Sequence, residues 1–224
     1  MYRLGDEKMS KITVPKYTLG EELLNSITHG FGVLFGITIL VLTIIMSAYH
    51  HNTIGIVSSC IYGTSMIIMF LISCLYHALS PRIGAKKVFR ILDHCDIYAF
   101  IVGSYTPFCL SLLGGTVGWT LFGIIWTCAI IGVILNSINL EKYKKISLGL
   151  YLIQGWMVLI SFNSLYQALP TKGLFYLLSG GIVFTIGAVL YGMGKKMRYM
   201  HSVFHIFVLA GCILQSFSIL FYAI

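Results

Sequence analysis

Charge is scarce in this 224-residue sequence: Asp, Glu, Lys and Arg make up 10% of it, only 7 residues are acidic, and 58% are hydrophobic, with a mean hydropathy of +0.89. Such values exclude an ordinary soluble domain, of which about a quarter is charged. No two of the 6 cysteines stand three apart, which excludes a CxxC redox or zinc motif. Cys60, Cys74, Cys95, Cys109, Cys128 and Cys212 all lie in apolar stretches, so they read as buried free thiols and not as a disulfide framework. HExxH, GxSxG and phosphate-loop patterns are absent. So are an internal repeat, a low-complexity tract and a second domain.

What is present is a series of apolar stretches at 27 to 49, 54 to 79, 91 to 113, 117 to 136, 148 to 169, 174 to 193 and 202 to 224. Each is long enough to cross a hydrocarbon core about 30 Å thick. The expectation is an all-α membrane protein, a seven-transmembrane helix bundle over 27–224, preceded by a cytoplasmic segment, 1–26, that carries an interfacial helix. The first span lacks a short apolar core with a small-residue cleavage site, so it reads as an uncleaved anchor. Of the 15 basic residues, all but Lys172 fall in the N-terminal segment or in the loops after the second, fourth and sixth spans. Lys and Arg collect on the cytoplasmic side, which puts the N-terminus inside and the C-terminus outside. Topology and anionic headgroups therefore explain the net charge of +8. Membrane lipids are the expected partners, nucleic acid is not, and the expected location is the plasma membrane.

Thr18 followed three residues later by Glu21 has capping-box spacing and marks a helix start. Asn25 and His29, four apart, then lie near the cytoplasmic boundary, and Gly32 and Gly36 have the spacing that lets helices pack closely. His50 and His51 read as solvated residues of an outer turn. Pro107 should bend the third span. The fourth to sixth spans carry Trp119, Trp126 and Trp156 but no charge, so they read as scaffold and cavity wall.

Chemistry concentrates elsewhere. His201 and His205 are four apart at the start of the last span, so both imidazoles share one helix face, a spacing that suits one shared metal ion. His77 ends the second span with Ser73 one turn deeper, and Asp93 opens the third. By topology all reach the same cytoplasmic depth. Asp93 and Asp96 read as the only acidic residues in or beside the membrane interior, where a carboxylate is costly unless paired or hydrated. Three histidines with a carboxylate suit an open, catalytic zinc site, with Asp93 as general base and Ser73 as hydrogen-bond donor. The same residues also suit an ion-pair and hydrogen-bond cluster without metal, or a proton or ion pathway.

The motifs Ser73-x-x-x-His77, Leu92-Asp93 leading to Gly103-Ser-Tyr-Thr-Pro107, His201-x-x-x-His205 and Asn25-Ser-Ile-Thr-His-Gly together resemble the hemolysin III family, within the progestin and adipoQ receptor superfamily. The resemblance spans nearly all of the seven apolar stretches. It implies a seven-helix, N-inside bundle with Zn2+ held by His77, His201 and His205, and with Asp93 and Ser73 around it. Alkaline ceramidases among the relatives imply hydrolysis of a lipid amide or ester, or a sensor built on that site, with effects on membrane lipid homeostasis. The family name implies the alternatives of a haemolytic or pore-forming protein, or a receptor-like scaffold with a structural zinc. The chain lacks the extended N-terminal domain and C-terminal tail of the longer receptors, which argues against hormone-type signalling.

Overall fold

The computed structural model describes residues 12–193 and 197–224. Residues 1–11 of the expected cytoplasmic segment, with Arg3, Lys8 and Lys11, lie outside the described residues, as do Lys195 and Lys196. No strand occurs among the described residues. The helices are α1 (Leu19–Tyr49), α2 (Thr53–Ala78), α3 (Ala85–Thr106), α4 (Gly115–Trp156), α5 (Phe162–Ala168), α6 (Thr171–Met193) and α7 (Met200–Tyr222).

Among the described residues six helical runs are long and apolar enough to cross a membrane, which corrects the expectation of seven separate spans. The stretches expected at 117 to 136 and 148 to 169 belong to a single run, Gly115–Ala168, because the polar segment between them stays helical. That run is not straight. Asn139 has non-helical angles (φ −159, ψ 91), and its side-chain oxygen accepts the Lys142 backbone N–H at 3.0 Å, as an N-cap does. Gln154 Nε2 donates to the Ile125 carbonyl at 3.0 Å. In a straight helix 29 residues would separate those atoms by roughly 43 Å, so the run doubles back at Asn139 and its two arms pack side by side.

The predicted start of α1 is present. Thr18 Oγ1 accepts the Glu21 N–H at 3.3 Å while a Glu21 carboxylate oxygen accepts the Thr18 N–H at 2.8 Å, closing a capping box. The helix then runs unbroken to Tyr49, and residues 12–18 just ahead of it are not helical. Its buried residues include Asn25, His29, Gly32, Gly36, Thr43 and Ser47, while Phe31, Leu34, Val41 and Ile45 are exposed. This is the reverse of a water-soluble helix and suits a lipid-facing one, whose helix contacts favour small and polar residues. A Cβ at Gly32 would enter the Phe70 ring, and one at Gly36 would lie 3.0 Å from Ile67 Cγ1, so both glycines let α1 lie tightly on α2.

His50 and His51 are exposed at the α1–α2 turn, as expected. At Pro107 the third run widens into a π-helical turn over Pro107–Leu113, closed by the Gly114 N–H on the Cys109 carbonyl at 3.0 Å. Gly114 (φ 56) and Gly115 (φ 51) then take left-handed angles that turn the chain into α4. One further expectation is corrected. The basic stretch Arg82 to Arg90 is not all loop, because α3 begins at Ala85 and buries Lys86 and Arg90, each paired with a carboxylate, Glu22 and Glu141 respectively. All six cysteines are free.

Candidate metal centre

α2 delivers His77 from its last turn, and α7 delivers His201 and His205 from its first two. The start of α7 is held at this level by α1, since the Tyr199 N–H donates to Glu21 Oε1 at 2.9 Å. All three histidines are buried, and one ring nitrogen from each lies within 4.8 Å of the other two. His205 Nε2 and His201 Nε2 are 3.0 Å apart. Ring centroids separate His77 from His205 by 4.9 Å and from His201 by 5.3 Å.

The donor set fits a divalent transition metal. His77 Nδ1 lies 2.7 Å from Glu22 Oε2, while its Nε2 is buried with no partner among the described residues. A buried ring nitrogen without a hydrogen bond is costly unless something else receives its lone pair. Three imidazoles converging on one point suit a shared cation, which would satisfy lone pairs that otherwise oppose one another.

A cavity of about 160 Å³ opens beside the centre, with His29, Ser73, Asp93, Asp96, His201 and His205 at its polar end. Its walls are largely apolar, with Phe100, Leu152, Phe184 and Val208 among them. Asp93 shares the cavity lining with Ser73 and His94, and its Oδ2 lies 3.6 Å from His94 Nδ1. His94 Nε2 in turn lies 3.3 Å from the Tyr191 hydroxyl. The structure thus brings Ser73, Asp93, His201 and His205 to one cavity, with His77 completing the histidine triad just outside its lining. Asp96 also lines it, 7% exposed, with neither carboxylate oxygen hydrogen-bonded to a described residue.

Sequence reasoning missed the residues that surround the triad. Glu22 reaches His77 and also accepts from Lys86 Nζ at 2.6 Å, so Asp93 and Asp96 are not the only carboxylates at this depth. His29 Nε2 sits 2.7 Å from His205 Nδ1. Tyr17 stacks on His201 with ring centroids 5.0 Å apart and planes 13° from parallel. Burial, aided by the nearby phenols of Tyr76 and Tyr191, pushes the Tyr17 hydroxyl far above its ordinary range, so it stays neutral. The segment ahead of it is pinned by Arg90, which donates to the Thr13 carbonyl and to Glu141, and by Thr13 Oγ1 on Glu141 at 2.9 Å. One signal for this shell was legible: Glu22, Asn25 and His29 recur at intervals of three and four and so share a helix face.

Comparison with known families gives matches over most of the chain. The family described as haemolysin-III related matches residues 17–216. Hemolysin-3 of Bacillus cereus is 38% identical over 219 residues, covering 97% of this chain and 97% of that protein. The Hemolysin-3 homolog of Bacillus subtilis (strain 168) is 38% identical over 208 residues, 93% of this chain and 97% of that one. Monocyte to macrophage differentiation factor of Homo sapiens is 28% identical over 222 residues, 91% of this chain and 85% of that protein.

Proposed function

The chain belongs to the haemolysin-III-related family, and from that premise we propose that it is a zinc-dependent intramembrane hydrolase of lipid amides or esters, acting on membrane lipid composition. The observation that carries this reading is the opening of the histidine centre onto an apolar-walled cavity beside Asp93 and Ser73. A purely structural centre has no use for such an opening. His77, His201 and His205 hold the ion. Zinc, when bound by three imidazoles, supplies Lewis acidity and lowers the pKa of a water to near neutrality.

The rest falls to this chain's own residues. Asp93 takes the proton from the attacking water at its carboxylate oxygen, with Ser73 beside it in the cavity lining and His94 Nδ1 3.6 Å away. The apolar walls bind the acyl chain and exclude bulk water, and the Tyr17 ring covers the His201 side. The chain crosses the plasma membrane seven times, the fourth helical run contributing two crossings through its reversal at Asn139. The partition of basic residues supports an inside N-terminus and a centre near the cytoplasmic face.

Purified protein offered a panel of lipid amides and esters, with and without chelator, tests the hydrolase. Chelator-sensitive cleavage is expected. If no lipid is cleaved while removal of metal unfolds the bundle, the centre is structural and the scaffold reading replaces this one. Orientation is tested by single cysteines in an otherwise cysteine-free protein. Residue 145 should be shielded from an external reagent and residue 172 should react. The names of the Bacillus relatives favour a second reading, membrane lysis. Dye release from vesicles by the purified protein, undiminished by loss of the metal ligands, would support it over hydrolysis.

A further inference from the structure

We infer that the segment Tyr17–His29 is the orienting shell of the metal centre, holding each of the three imidazoles from outside while contributing no ligand itself. The inference rests on the metal reading above. On His77 two side chains of the segment meet Nδ1, Glu22 Oε2 at 2.7 Å and the Asn25 side-chain amide at 3.3 Å. An ionised carboxylate can only accept, so the ring carries its proton on Nδ1 and turns a bare lone pair on Nε2 toward the centre. That Nε2 is the nitrogen left without a partner.

Glu22 cannot swing inward to become a ligand. Its second oxygen holds Lys86 Nζ at 2.6 Å, and Lys86 is tied in turn to the Leu79 carbonyl at 2.8 Å. On His205 the contact is His29, whose Nε2 lies 2.7 Å from Nδ1. With the proton on His205 Nδ1 donated to His29, His205 Nε2 is the free atom, and it is this atom that faces His201 Nε2 at 3.0 Å. His201 is fixed by the stacked Tyr17 ring. Glu22 and His29 are seven apart, two turns on one face, so a single helix orients ligands that come from two others.

The competing account is that Glu22 serves only as the counter-ion of buried Lys86, and the test separates the two. Release of zinc from detergent-purified protein to a chromophoric chelator is followed in the parent and in Lys86→Met, Glu22→Gln/Lys86→Met, His29→Leu and His29→Asn. Lys86→Met keeps the carboxylate on His77 and should release metal within about threefold of the parent. The double variant has no charge left to pair and lacks only the oriented carboxylate. It should release metal roughly 10- to 100-fold faster, the usual effect of losing such a partner. His29→Leu should do the same, and His29→Asn, which restores an acceptor, should recover part of the loss.

A folded double variant that releases metal at the Lys86→Met rate overturns the role of Glu22. If the double variant does not fold, the His29 pair decides: equal release from Leu, Asn and parent forms overturns the shell. A parent that holds no metal overturns the metal reading and this inference together, whereas a parent that holds it isolates the result to the shell.

Discussion

The histidine centre and the cluster around Asn136 are both buried polar groups in an apolar bundle, yet their hydrogen bonds close to different degrees. Asn136 spends every polar atom: Nδ2 donates to the His94 carbonyl at 3.1 Å and to the Tyr151 hydroxyl at 3.0 Å, and Oδ1 accepts from Ser147 at 2.5 Å. Around the histidines, His77 Nε2, His29 Nδ1 and both Asp96 oxygens find no partner among the described residues. Buried polar atoms in native proteins are nearly all satisfied. A closed network therefore reads as a joint between elements, here the clasp that holds the two arms of α4 together. An open one reads as a place where something else binds.

The sharpest way to break this contrast is to remove ligands. His201→Ala/His205→Ala should abolish metal binding, measured as zinc per purified chain, from about one to near none. Full retention would remove the triad from consideration and leave its open nitrogens unexplained. Next comes Asp93→Asn, nearly the same shape, which should keep its zinc and lose roughly 10²- to 10⁴-fold in turnover on whichever lipid is cleaved. A variant that binds zinc and turns over at the parent rate shows that Asp93 is not the base.

The opposite signature belongs to the closed cluster. Asn136→Leu strands the partners it bonded and should cost about 1 to 3 kcal/mol in unfolding free energy, with zinc content unchanged. Loss of metal in that variant would erase the distinction between clasp and centre. The smallest effect is expected at the capping box, where Thr18→Ala should cost about 1 kcal/mol. Because Glu21 also holds Tyr199 at the start of α7, a measurable rise in the rate of metal release would show that this cap helps set the position of the ligand helix.

Much of this was legible from the chain alone, for reasons that differ by residue. The His201–His205 pair could be read because four residues on a helix fix two side chains on one face. His77, Ser73 and Asp93 could be read because charge distribution orders the spans and so sets depth. The count of separate helices misled because a polar connector was expected to unwind, whereas Asn139 supplied a cap inside it and kept both sides helical. Lys86 and Arg90 read as loop charges, since a basic residue near a membrane edge gives no sign in sequence of whether a carboxylate waits across the helix packing.

What the sequence determined by itself was therefore one-dimensional: helical stretches long and apolar enough to cross a bilayer, and the helix face of each polar residue. Rotation of one helix against another was left to the tertiary structure. Packing at Gly32 and Gly36 turns the Glu22, Asn25 and His29 face of α1 toward α2 and α7, and so puts Glu22 on His77 and His29 on His205. Spacing along a chain fixes angles within a helix, but the angle between two helices follows only from the side chains that meet there.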